Sequence, residues 1–157
     1  MCHQRKMDQA RKFGEKVIND FPKSSYAEFA ALTLAKVAVD QNDLAAAAKQ
    51  LQWTIDHSKF PEVTRLARLR LARVWLSEGK LDDAWNAAQK ISDKPPSAAL
   101  SELKGDILVA QGKTDEARQQ YLEATAQAGN KDPNEADTLS MKLNNLGTAP
   151  VTDSKSP

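Results

Sequence analysis

The segment Glu78-Gly79-Lys80-Leu81-Asp82-Asp83-Ala84 is spoken again as Gln111-Gly112-Lys113-Thr114-Asp115-Glu116-Ala117, and a third version stands at Gln41-Asn42-Asp43-Leu44-Ala45-Ala46-Ala47. In each copy an apolar helical pattern stops at Gly or Asn, residues that accept the positive φ of a helix C-terminus. An Ala-rich helical pattern starts about two residues later. Each copy therefore reads as a helix-turn-helix hairpin. Ala47 to Ala84 spans 37 residues and Ala84 to Ala117 spans 33. A period of about 34 with one small insertion restricts the chain to stacked helical hairpins, none of which can bury its apolar face alone.

The register resembles the tetratricopeptide motif. Ala35, Ala72 and Gly105 fall on its small position late in the first helix, and Ala47, Ala84 and Ala117 on the small position where the second helix crosses the first. Leu51 and Tyr121 match the large apolar position that follows, whereas Ala88 departs from it. Pro22 and Pro96 sit where the motif ends in proline. Ala10 lies 37 residues before Ala47, so residues 8–21 read as the second helix of a repeat whose first helix is missing. The expected fold is all-α: one domain, a tetratricopeptide-like right-handed array of helical hairpins (an α-solenoid) with a C-terminal capping helix. The half repeat at 8–21 is followed by hairpins at about 25–59, 61–94 and 97–128. Leu139, Leu143 and Leu146 lie on one side of a helix at 134–146 that caps the last hairpin. Residues 1–7 are expected to be a lead-in, disordered or extraneous to the domain, and residues 147–157 a disordered tail. Phe13, Val17 and Phe21 form a stripe on the first helix that lacks a partner, from which weak self-association is expected. Ala45 and Ala87 are expected on the exposed side of their helices.

Several function classes fall away. The net charge is +1, and no aromatic residues interleave with basic ones, so nucleic acid is not the expected partner. Arg65, Arg68, Arg70 and Arg73 scatter over several faces of one helix that also carries Glu62 and Glu78, which reads as a solvated, ion-paired element. Cys2 is the only cysteine, so neither an intramolecular disulfide nor a thiolate metal site is expected. His3 and His57 belong to no metal-binding spacing. Gly112-Lys113-Thr114 resembles the end of a phosphate loop, but Ile107 stands where that loop needs its first Gly, and a helix rather than a strand precedes it. The pairs Asp82-Asp83 and Asp115-Glu116 sit in first helical turns, where negative charge complements the helix dipole. No catalytic constellation, cofactor or metal is expected, and no apolar run approaches the roughly 20 residues of a membrane helix.

Function is therefore sought in surfaces. In tetratricopeptide-like arrays the first helices line a groove, which in this register is formed by Leu32, Lys36 and Val39, then Leu69, Arg73 and Leu76, then Glu102, Asp106 and Val109. Leu32 and Leu69 replace the Lys and Asn with which chaperone-binding relatives clamp an acidic C-terminus. An apolar floor with a basic and an acidic end suits an extended or helical peptide, and the last helix is expected to cover part of it.

The stretch Ala30 to Gln52, the block Arg68-Leu69-Arg70-Leu71-Ala72-Arg73-Val74, Gly112-Lys113 with Ala117-Arg118, and Met141-Lys142-Leu143-Asn144-Asn145-Leu146 together resemble the YfgM-type family, the ancillary subunit of the bacterial Sec translocon. The likeness covers roughly residues 8–147. It implies a domain on the periplasmic face of the inner membrane, anchored by a single membrane helix. It also implies association with the Sec translocon, with a membrane-anchored periplasmic chaperone of the peptidyl-prolyl isomerase class, and with unfolded secretory polypeptides. This chain departs by lacking the membrane helix and the first half repeat, so it reads as a soluble piece or as one whose Met1 is not the natural start. A cytosolic scaffold with an unrelated partner, or a purely structural dimerisation module, are the alternatives the residues themselves leave open.

Overall fold

The computed structural model of the chain describes residues 2–129 and 132–147. Of the tail expected at 147–157, residues 148–157 lie outside the described residues. Among those described, eight helices are present: α1 Cys2–Asp20, α2 Ser25–Asp40, α3 Leu44–His57, α4 Pro61–Ser77, α5 Leu81–Gln89, α6 Ala98–Ala110, α7 Thr114–Ala128 and α8 Pro133–Asn145. The chain divides into two compact units, Met1–Ser92 and Asp93–Pro157, where the sequence pattern leads one to expect a single domain. Repeats in an array pack on their neighbours alone, and the break falls beside Lys94-Pro95-Pro96.

The three matching turns are built alike. Asn42, Gly79 and Gly112 have φ of 58°, 75° and 77°. After each, the next backbone N–H reaches back over the last helical turn: Asp43 to the Ala38 carbonyl at 2.8 Å, Lys80 to Trp75 at 2.9 Å and Lys113 to Leu108 at 2.8 Å. These bonds satisfy carbonyls that the helix end leaves unpaired. The opposite ends are capped by side chains: Ser24 accepts from the Ala27 amide and Ser97 from the Leu100 amide, at equivalent starts of α2 and α6. The helices α5 and α7 have no side-chain cap and instead carry Asp82-Asp83 and Asp115-Glu116 in their first turns.

In the first unit α1 to α5 pack in sequence, each against the next. Ala47, Ala72 and Ala84 are wholly buried where backbones approach, and Ala35 nearly so. The interior includes a cluster of Ile18 with Ala27, Ala31 and Leu34, and one of Ala35, Ala38, Ala47 and Leu51 with Ala67, Leu71 and Val74 of α4. Two expectations need correction. The helix α1 extends back to Cys2, so residues 2–7 are helical rather than a disordered lead-in; Gln4, Arg5, Lys6 and Met7 favour helix, although the apolar stripe starts only later. It packs through Ile18, buried, and through Gly14, where an added Cβ would meet Leu34 at 3.0 Å, while Phe13 and Phe21 are exposed. Ala87 is also buried, because the short helix α5 turns Ala84, Ala87 and Ala88 inward together.

In the second unit α6 and α7 form a hairpin on which α8 lies. Leu139 of α8 is fully buried with Tyr121, Ala124 and Ala128 of α7, and Leu143 and Leu146 pack half-buried on the same cluster. The apolar side of the hairpin is thereby covered.

Candidate partner-binding site

Within the first unit a cleft of about 350 Å³ opens between α2 and α4. Its floor is apolar: Ala35 and Val39 from α2, Leu44 and Leu51 from α3, Val74 from α4. Its rim is net basic, with Lys36 and its partner Asp40 on one side and Arg70 and Arg73 on the other. Lys36 bonds Asp40 one turn along its own helix at 2.9 Å. Among the described residues neither Arg70 nor Arg73 is ion-paired. Lys36, Val39 and Arg73 are thus brought together as the repeat register places them. Leu32, Leu69 and Leu76 are half-buried and do not line the cleft; Leu32 packs instead on the core between α2, α3 and α4. Arg70 was hidden to sequence reasoning among four arginines on one helix.

The corresponding face of the second unit is closed. Lys142 of α8 reaches Glu102 at 2.7 Å and both oxygens of Asp106 at 2.7 and 2.8 Å. Asp106 also accepts the Tyr121 hydroxyl at 2.7 Å, and the ammonium lies 5.7 Å from the centre of the Tyr121 ring. Burial pushes the Tyr121 hydroxyl pKa well above its ordinary range, helped by the bond to Asp106 and by the charges of Asp106 and Glu102. Burial alone pulls Lys142 down, but its bonds to Asp106 and Glu102 and their charges outweigh that, leaving its pKa raised. Val109, one turn beyond Asp106 on α6, is exposed.

A second cleft, of about 640 Å³, lies between α1 and α3, where Trp53 stacks on His57 with ring centres 4.2 Å apart. Glu15, Lys49 and Asp56 line it with both signs of charge. Among the described residues no group of three or more His, Cys, Asp or Glu is placed to hold a metal, and no helix is long and apolar enough to cross a membrane.

Helical hairpins repeating in a register of about 34 residues define a tetratricopeptide repeat-like protein; that family's model matches residues 2–148. The comparison with individual proteins is narrower. The ancillary SecYEG translocon subunit of Aggregatibacter actinomycetemcomitans is 32% identical over 138 residues, covering 88% of this chain and 66% of the relative. That of Haemophilus influenzae is 33% identical over 140 residues, covering 88% and 67%, and that of Escherichia coli K12 is 32% identical over 127 residues, covering 79% and 59%. The chain belongs to the ancillary SecYEG translocon subunit family, with a tetratricopeptide repeat-like fold. It spans about two thirds of the length of these relatives.

Proposed function

We propose that this chain is a protein–protein interaction module acting at the Sec translocon, on the periplasmic face of the inner membrane. There it assists secreted polypeptides and works with a membrane-anchored periplasmic chaperone of the peptidyl-prolyl isomerase class. The membership in a family named for the SecYEG translocon is the observation that carries this reading. The open α2–α4 cleft supplies the surface: Lys36, Val39 and Arg73 at the opening, with Leu32, Leu69 and Leu76 as the apolar surroundings. In the second unit Glu102, Asp106 and Val109 form the acidic counterpart, available to a partner that displaces Lys142.

The test is binding of an unfolded secretory segment, and of the chaperone's periplasmic domain, to wild type, Leu32→Ala/Leu69→Ala and Arg73→Glu, each first shown to melt natively. If both leucines are anchors, the double variant loses about 2–5 kcal/mol of contact, enough to abolish micromolar binding. Arg73→Glu slows association and weakens its salt dependence more than it alters the apolar contacts. Wild-type binding by both the folded double variant and Arg73→Glu moves the site to the face bearing Trp53 and Trp85.

A further inference from the structure

The two units solve one seam in opposite ways. Placing Ala35 on Gly105 sets Leu32 on Glu102, Lys36 on Asp106 and Leu51 on Tyr121. The helices α4 and α8 each begin with a proline, Pro61 and Pro133, and aligning those starts sets Arg70 on Lys142, Leu71 on Leu143 and Val74 on Leu146. In the second unit the seam is closed by the Lys142–Asp106 pair and by the Tyr121 ring beneath it. The first unit substitutes Lys36 and Arg70 for that pair and Leu51 for the ring. An attractive contact becomes a meeting of like charges, and an aromatic filler becomes a smaller aliphatic one. The seam stands open, Lys36 turns to Asp40, and among the described residues neither Arg70 nor Arg73 is paired with a carboxylate.

What is missing from this cleft is an anion carried on an apolar body. We propose that the α2–α4 cleft binds an internal acidic side chain of a partner polypeptide, a Glu or Asp flanked by Leu, Ile or Val. The carboxylate lies between Lys36 and Arg70 with Arg73 beside it, and the apolar neighbours rest on Val39, Leu51 and Val74. A volume of about 350 Å³ sits at the lower end of the roughly 300–1,000 Å³ range of ligand clefts, so it holds a few side chains of a segment and not a folded domain. Charge complementarity commits the occupant: Lys36, Arg70 and Arg73 stand against Asp40 alone, so a basic segment adds a fourth cation to a net positive rim. This inference rests on the reading of the α2–α4 face as the partner-binding surface and names the chemistry that face selects.

The experiment uses the full chain and fluorescent 12-residue peptides, amidated at the C-terminus, that carry a Leu-Glu-Leu cluster or the same cluster with Gln or Lys for Glu. The Glu peptide binds, the Gln peptide binds at least tenfold more weakly, and the Lys peptide weakest. Lys36→Glu and Arg70→Glu each weaken the Glu peptide at least tenfold and strengthen the Lys peptide, whereas Lys12→Glu on α1 leaves both unchanged. Arg70→Glu also raises the melting temperature, since it restores an opposite-charge pair with Lys36; a variant that merely misfolded would melt lower. Equal binding of the Glu and Gln peptides overturns the proposal. So does displacement of the Glu peptide by inorganic phosphate at equal concentration, or a requirement for a free C-terminal carboxylate. If Leu32→Ala/Leu69→Ala abolishes binding of the secretory segment and Arg70→Glu does not, the face binds partners but not through a carboxylate. If neither does, the face itself is not the site.

Discussion

Gly105 faces the ring of Tyr121 so closely that a Cβ on residue 105 would stand 2.4 Å from the ring carbon Cε1. No small shift of a rigid, fully packed ring accommodates that atom. Gly105→Ala therefore destabilises the second unit by about 1–3 kcal/mol, in the range of overpacked cores, read as a lower urea midpoint. The equivalent pair in the first unit is Ala35 with Leu51, both buried. Gly105→Ala/Tyr121→Leu should accordingly recover part of what Gly105→Ala loses, though Tyr121→Leu also deletes the bond to Asp106. A single variant that unfolds like wild type defeats the repeat register.

The turns and helix order were legible because Gly and Asn mark positive φ, and because small residues recur where backbones cross. The seams were not. Lys142 lies 40 residues from Glu102 and 36 from Asp106, so no local pattern links them, and only alignment of Pro61 with Pro133 reveals Arg70 as its counterpart. The face through which α1 packs is equally hidden in the sequence. Phe13 and Phe21 dominate any apolar periodicity, while Gly14 contributes nothing to it yet is where Leu34 docks. Lys36, Val39 and Arg73 fell in the cleft because register alone places them there, whereas the depth of Leu32, Leu69 and Leu76 depends on how α2 and α4 rotate against their neighbours.

Alkaline pH should loosen the second unit as it rises through and above the ordinary range of lysine and tyrosine titration. The folded pKa values of Lys142 and Tyr121 are both raised, so the folded state holds these protons more tightly than the unfolded chain. Their contribution is complete below the unfolded pKa values, about 10 for tyrosine and 10.4 for lysine. It is lost as pH rises from there through the raised folded values. Lys142→Met removes the lysine's share and, by stranding Glu102 and Asp106, costs about 1–3 kcal/mol at neutral pH. Melting temperatures of wild type and Lys142→Met between pH 7 and 11 should converge toward the alkaline end; parallel curves would remove the ion pair from the account.

Ala84 and Ala117 are fully buried where second helices cross first ones. Leu at either position forces backbones apart at a cost of about 1–3 kcal/mol, while Ala45→Leu, on an exposed position of α3, stays within about 0.5 kcal/mol of wild type. Ala87→Leu joins the costly group, since Ala87 is 6% exposed. Thermal melts of the four variants in parallel decide this, and equal melting of Ala84→Leu and Ala45→Leu would count against the crossing geometry.

The first helix offers an aromatic surface that the rest of the first unit does not use. Phe13 is 70% exposed and Phe21 63%, and Tyr26 and Phe29 at the start of α2 are exposed as well. Burial of one such side chain is worth about 1.5–3 kcal/mol, and large exposed apolar groups gathered at one end of a unit mark an interface. We predict weak self-association through this end. Two or three rings covered per copy, offset by the freedom lost on association, place the dissociation constant near 0.1–1 mM, on the order of 4–5 kcal/mol. Phe13→Ser should abolish it without lowering the melting temperature, because Ile18 and Gly14 carry the packing of α1 onto α2. Sedimentation equilibrium up to millimolar protein measures this directly. A wild-type chain that stays strictly monomeric there, or a Phe13→Ser chain that associates just as strongly, rules out this end as the contact.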